Sequence, residues 1–442
     1  MSTWQTRILH LGLGRFHRGH QAVYYQKMKD LGDPSWGVIS MSMRSTEARD
    51  QMKKVHLRYP VLELSADNAV TTWIESIREA YSLHQNLSQV MEVFKKPELE
   101  IITLTITEKG YDLDSNGNLD LKKNQIIHDL QSPEKPESAI GLLAMGIRQR
   151  RLSQLSPLTI ISCDNLRDNG KKLQRAVETY LEKLQWMDDL VWLKKNIKFP
   201  CTMVDRIVPS LLPGKILELE KSYSLSANSE VIATETFCQW VIEDHFSLKR
   251  PQWEKAGVEF VKDVRPYEEM KLKLLNAAHS YLAYAGLNRG LQFVHEAIND
   301  PQLRMNVIKI FEEVTPLLHI PESFDVKEYQ NNLIIRFQNN KLPHQLRQIA
   351  MDGSQKLPQR IFSSINIAID KKSGNKMLIE VIHEWLQYVQ SLLKDNKTPD
   401  DPEAPTLKKF CQSGKWNSEI WDTNLFQTLQ SSGLRDKIFP QD

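Results

Sequence analysis

Up to about residue 265 the chain alternates short apolar runs with longer stretches whose apolar residues recur every three or four positions; beyond that point the short runs all but vanish. Arg7-Ile8-Leu9-His10-Leu11, Trp36-Gly37-Val38-Ile39-Ser40-Met41-Ser42-Met43, Ile101-Ile102-Thr103-Leu104 and Thr159-Ile160-Ile161-Ser162 read as buried strands. Strands alternating with helices predict an α/β unit with a doubly wound sheet over residues 1–265. From Pro266 onward, Leu303 to Leu318, Asp325 to Asn339 and Lys376 to Lys394 carry the spaced apolar residues of packed amphipathic helices. They predict a mainly α-helical domain over 266–442. The polar, proline-punctuated segment Lys394 to Pro405 reads as an exposed loop.

The first strand runs into Gly12-Leu13-Gly14-Arg15-Phe16-His17-Arg18-Gly19, and a helix pattern follows to about Asp30. A strand, a glycine turn and a helix start let backbone N–H groups and the helix dipole hold a pyrophosphate. Gly12 and Gly14 are therefore candidate cofactor-binding positions, and 1–265 is expected to be a Rossmann-like dinucleotide-binding domain. The third glycine of the fingerprint is His17, so the turn alone does not decide the matter. An acidic residue that would bond the ribose 2′-hydroxyl is also missing from the end of the second strand, which reads Met43-Arg44-Ser45-Thr46-Glu47. Arg44 and Ser45 would suit a 2′-phosphate and Glu47 the free hydroxyl; NAD is the expectation, with NADP left open.

Residues 266–280 arrange Lys271, Asn276 and His279 as K-x4-N-x2-H. At about 100° per residue, Glu268, Lys271, Leu275, Asn276 and His279 fall within a sector of roughly 140° of an α-helix. A Lys-Glu pair on a helix is ordinarily a solvated face, but Leu272, Leu274, Ala277, Ala278, Leu282 and Ala285 leave little of the circumference to water. Buried polar groups need partners or a purpose. Oxidising a secondary alcohol calls for a base to take the hydroxyl proton and for donors around the oxygen. A buried lysine suits the first role, because burial disfavours its charged form, and an asparagine amide suits the second.

Three further blocks complete a pattern: Ile106-Thr107-Glu108-Lys109-Gly110-Tyr111, Ser162-Cys163-Asp164-Asn165-Leu166, and Thr202-Met203-Val204-Asp205-Arg206-Ile207-Val208-Pro209. In order with Gly12 to Gln21, the Lys271 segment and Asp352-Gly353-Ser354-Gln355-Lys356-Leu357-Pro358-Gln359-Arg360, they resemble the polyol-specific long-chain dehydrogenases, the mannitol dehydrogenase family, from residue 7 to about 365. The resemblance implies an NAD-dependent, metal-independent oxidoreductase acting on a sugar alcohol or a hexuronate. It implies Lys271 as general base, Asn276 and Asn165 as donors to the oxygen, His279 on the substrate hydroxyls and Glu268 passing the proton to solvent. Phe16, Glu108 and Lys109 join Gly12, Gly14, Arg44 and Glu47 on the cofactor side, and Asp205 joins the substrate side. For Asp205 with Arg206, anchoring of a turn is the competing reading. A hexuronate carboxylate would favour a cationic fork, for which Lys356, Arg360 and Arg347 are candidates, against ordinary ion pairs. The Asp352–Arg360 block and the Met-Arg-Ser turn are more similar to the mannonate/fructuronate branch than to mannitol 2-dehydrogenase, which with tagaturonate reductase remains an alternative.

Composition narrows the field without adding chemistry. The 442 residues exceed one ordinary core, and 57 Lys plus Arg against 55 Asp plus Glu leave a net charge of +2, which points to no nucleic-acid or membrane partner. The first 25 residues lack a secretory pattern, so a cytoplasmic protein is expected. The 4 cysteines are widely spaced, with no zinc-type run, and no metal is expected. Asp112 to Asn118 resembles half of a calcium loop, but the twelfth position is Lys123, so a turn at Asn116-Gly117 is the better reading. Asn86-Leu87-Ser88 is a formal glycosylation sequon read as surface helix or turn. A non-catalytic dinucleotide-binding redox sensor remains the alternative of a different class; it would have no use for the Lys271, Asn276 and His279 set.

Overall fold

The computed structural model describes residues 4–114, 116–226, 229–321, 324–413, 421, 425–427, 429 and 434–438. The chain divides into two compact units, Met1–Arg265 and Pro266–Asp442. In chain order the described strands are β1 (Ile8–Leu11), β2 (Val38–Ser42), β3 (Tyr59–Leu64), β4 (Ala69–Ile74), β5 (Ile77–Ser82), β6 (Ile101–Leu104), β7 (Thr159–Ser162), β8 (Thr202–Asp205), β9 (Ile232–Glu235), β10 (Gln239–Glu243) and β11 (Glu259–Val261).

The first unit is built on a five-stranded parallel sheet in the order β5-β2-β1-β6-β7. Every residue of β1, β2, β6 and β7 is buried, as strands covered by helices on both faces must be. Successive side chains point to opposite faces. Leu9 and Leu11 join Ile39, Ile102, Leu104 and Ile160 in a core with Leu143 and Val177. Ile8 joins Val38, Ile101 and Ile161 on the other side, with Tyr24, Tyr25, Trp240 and Trp253. His10 shares that second face.

Two smaller sheets, β11-β10-β8 and β4-β3-β9, complete the unit. Arg206, just past β8, ties them to the start of the chain. Its guanidinium donates to the Gly19 carbonyl at 2.7 Å and the Glu235 carbonyl at 3.0 Å, and it pairs with Glu63. Arg206 is thus an anchor of the fold.

Among its described residues the second unit is helical throughout. Its centre is a helix running from Arg265 to Asn288 whose Tyr281, Leu282 and Ala285 pack with Ile310, Leu333, Val381 and Trp385. Pro301–Val314, Val326–Phe337 and Lys376–Lys394 are helices where the apolar spacing predicts them. Gly117 turns at φ +77° while the Asp114 carboxylate accepts the Asn116 and Asn118 N–H groups, and Asn86 lies in the helix Leu83–Phe94. No described helix is long and apolar enough to cross a membrane.

Candidate functional site

At the end of β1 the chain turns sharply. Gly12 sits at φ +114°, and a Cβ there would lie 2.0 Å from the Thr105 carbonyl oxygen, so only glycine fits. The Gly12 N–H donates to the Met41 carbonyl and the Gly14 N–H to the Gly12 carbonyl, each at 2.7 Å, and a short helix, Arg15–Gly19, begins directly. Beside the turn lies a cleft of about 260 Å³, walled by Gly12, Gly14, Ser42 to Ser45 and Thr105 to Thr107, at the carboxyl ends of β1, β2 and β6.

The residues read from the sequence separate here. Gly12, Gly14 and Arg44, with Ser45, line the cleft. Glu47 does not; it opens the helix Glu47–Lys54, and its carboxylate accepts from the Gln51 amide at 3.3 Å. Glu108 and Lys109 are exposed between Thr107 and Gly110, which do line it. Phe16 stacks on His20 with ring centroids 5.0 Å apart and packs against the aromatic core. Asn165 is exposed just past β7, and Asp205 is buried at the end of β8.

In the second unit the central helix changes pitch where its polar residues are. Lys271 to Asn276 is a π-helix between two α-helical segments. Its i→i+5 bonding adds nearly a residue per turn, so Lys271 and Asn276 come close to one azimuth, whereas an α-helix would hold them about 140° apart. Lys271 is buried, Glu268 and Asn276 are partly buried, and His279 lies one turn on. The His279 ring packs against Phe337 at 4.6 Å and meets His344 edge-on at 5.6 Å. Its Nε2 is buried and has no hydrogen-bond partner among the described residues. Burial pushes the His279 pKa well below the usual imidazole value, and His344, Arg336, Arg360 and Lys271 push the same way. Burial likewise pushes His344 down to about 4.

The two cations read from Asp352–Arg360 differ. Arg360, in a second π-helical segment, Pro358–Phe362, donates to Ser280 Oγ at 3.0 Å, one residue beyond His279. The Lys356 ammonium, in the short helix Gly353–Leu357, donates to the carbonyl of Met351 just before that helix at 2.6 Å.

Residues 6–255 match the family model described as the mannitol dehydrogenase Rossmann domain, and residues 263–431 match the mannitol dehydrogenase C-terminal domain. The chain belongs to the mannitol dehydrogenase family. D-mannonate oxidoreductase of Escherichia coli K12 is 38% identical over 421 residues, 92% of this chain and 85% of that protein. Mannitol 2-dehydrogenase of Aspergillus terreus is 33% identical over 449 residues, 98% of this chain and 88% of that one. Among solved structures, Pseudomonas fluorescens mannitol 2-dehydrogenase in a ternary complex with NAD and D-mannitol superposes with a TM-score of 0.87 at 31% identity, covering 99% of this chain and 90% of that one. Substrate-free D-sorbitol dehydrogenase gives 0.88 at 26% identity, covering 99% and 92%.

Within this mannitol dehydrogenase fold, several groups have contacts that the sequence pattern did not assign. The Asp164 carboxylate accepts the Ile106 and Thr107 N–H groups at 2.9 and 3.0 Å and the Tyr111 hydroxyl at 2.7 Å, which fixes the loop after β6. Burial raises the Asp164 pKa, against the pull of these three donors. Arg336 and His344 come from a helix and a loop remote in sequence, with no spacing to His279 that a motif could record.

Proposed function

We propose that the chain is an NAD-dependent dehydrogenase that interconverts a secondary alcohol and a ketone on a hexuronate, the D-mannonate/D-fructuronate pair, with Lys271 as general base. The first unit's cleft suits a dinucleotide: it has a turn no Cβ could enter, several glycines, serines and threonines in its wall, and a place at the carboxyl ends of three parallel strands. When bound, the nicotinamide dinucleotide takes up or returns the hydride.

The chain's own residues handle the proton and the oxygen. In the oxidising direction Lys271 Nζ accepts the hydroxyl proton as the carbon–hydrogen bond breaks. The Asn276 amide, brought near the azimuth of Lys271 by the π-turn, donates to the oxygen as charge grows on it, and Asn165 is assigned the second donor. His279 Nε2, buried and without a protein partner among the described residues, is left for a neighbouring substrate hydroxyl. Glu268, on the α-helical segment before Lys271, passes the proton on to solvent. Asp205 is kept on the substrate side.

The observation that carries a hexuronate is the charge around His279. Arg360, bonded to Ser280 Oγ one residue beyond His279, and Arg336 both act on the imidazole, and each would repel a cation and attract a carboxylate. The similarity to D-mannonate oxidoreductase supports the same choice. A sugar alcohol is the second reading, favoured by Lys356, whose ammonium is turned onto the Ile349 and Met351 carbonyls. NADH oxidation with fructuronate, tagaturonate and fructose separates them. The expected kcat/KM for fructuronate exceeds that for fructose by about a hundredfold or more, and Arg360→Ala narrows the gap. Fructose turned over as well as fructuronate would establish the sugar-alcohol reading, and NADH binding with no turnover of any ketone would favour the sensor.

A further inference from the structure

Beneath the glycine turn lies a buried imidazole that no step above uses. His10, on β1, is fully buried. Its Nδ1 is 2.7 Å from Thr103 Oγ1; its Nε2 is 2.8 Å from Thr105 Oγ1 and 3.0 Å from the Gly12 carbonyl oxygen. A carbonyl can only accept, so Nε2 carries the proton and Nδ1 accepts from the Thr103 hydroxyl. The Thr105 hydroxyl donates to the same carbonyl at 3.0 Å. Burial keeps the ring neutral, with its pKa down to about 3. The His17 ring, at the fingerprint's third glycine position, lies flat on His10, with centroids 3.4 Å apart and planes 10° from parallel.

Gly12 has no side chain to limit its backbone, and the direction of its peptide group sets where the following N–H groups point. Its carbonyl is therefore the natural place to hold the turn. We propose that His10 is a positioning residue for the dinucleotide: its Nε2–H and the Thr105 hydroxyl clamp the Gly12 carbonyl, so that the turn is preformed before the pyrophosphate arrives. The stacked His17 ring keeps the imidazole in that orientation. In a glycine turn with an incomplete fingerprint, two histidines supply rigidity where the third glycine would have supplied closeness.

The inference rests on the dinucleotide reading of the cleft, and NADH binding to the full chain, followed by fluorescence titration, tests both separately. A parent that does not bind NADH overturns that reading, and the clamp with it. If the parent binds, His10→Leu should raise the NADH Kd about tenfold, the loss expected of a broken buried hydrogen bond, and the effect should fall on the cofactor KM far more than on kcat. His10→Gln places an amide donor near the Nε2 position and should recover affinity to within about threefold of the parent. Thr105→Val keeps the imidazole but removes the second donor, together with the hydroxyl's contact to Nε2, and should weaken NADH binding in the same sense; it keeps the test open if His10→Leu does not fold. Unchanged NADH affinity in Thr105→Val or in folded His10→Leu, or a failure of His10→Gln to rescue, would overturn the clamp.

Discussion

The glycine turn of the first unit and the Lys271 helix of the second both bury polar side chains, and they use them in opposite ways. Around the turn, His10, Thr103, Thr105 and Asp164 are hydrogen-bonded to one another or to backbone. What lines the cleft is glycine, serine, threonine and alanine together with Leu13, Met43 and Ile106, with Arg44, Gln125 and Glu137 the larger polar residues. Around the helix ionisable groups stand beside the Asn276 amide, and His279 Nε2 and His344 Nδ1 lack partners among the described residues. In the first region His10, Thr105 and Asp164 hold the main chain still, and His17 is held by stacking on His10. In the second the His279 ring is held by packing against Phe337 and His344, and its Nε2 keeps its hydrogen-bonding capacity.

That division makes the largest expected effect one-sided. Lys271→Ala should lower kcat by about 10² to 10⁴ while NADH affinity stays within about twofold, measured by steady-state rates beside fluorescence titration. A parallel loss of NADH binding would erase the division. Next come the amides: Asn276→Ala and Asn165→Ala should each remove about 2.7 to 4 kcal/mol of transition-state stabilisation. If the loss appears only as raised KM, these residues hold substrate and do not stabilise the oxygen.

Smaller effects test the cleft. Because Arg44 lines it and Glu47 does not, Arg44→Ala should lower kcat/KM for NADP about tenfold relative to NAD, while Glu47→Ala should leave the ratio within about threefold. A strong gain in NADP use by Glu47→Ala would return that carboxylate to the ribose. The smallest effect comes from Asp112 in the first unit, whose Oδ2 is buried without a partner among the described residues. Burial, opposed by Lys123 and Arg44, pushes its pKa up to about 6. The folded state therefore favours the protonated form, and the cost of the charged form grows as pH rises from the ordinary carboxylate range through about 6. Asp112→Asn should accordingly raise Tm by about 1 to 3 °C near pH 8 and by much less near pH 4, measured by calorimetry. Equal gains at both would mean that the carboxylate does not titrate in that window.

Four strands of the parallel sheet, the switch to helices after Pro266, the glycine turn and the K-x4-N-x2-H set were legible in the sequence, because each is a local pattern whose period or spacing is written in consecutive residues. The face of the Lys271 helix was only half legible: the set was visible on one face, but at the α-helical pitch Lys271 and Asn276 stood at opposite edges of a sector of about 140°, and the π-turn that narrows that angle carries no sequence mark. Glu47 and Lys356 illustrate the same limit, since a charge can be placed in a segment without knowing that it will bond Gln51 or a nearby carbonyl.

The sequence by itself determined the fold class, several of its strands and helices, and which polar residue types fall close together along the chain. Only the tertiary structure decided which side chains meet: Thr103 and Thr105 lie 93 and 95 residues from His10, and they reach it because β1 and β6 are adjacent parallel strands in one register. Arg336 and His344 gather at His279 through helix packing. Periodicity is a property of neighbours along the chain, whereas a clamp or a charge cluster depends on register and close packing between distant segments, which no local pattern encodes.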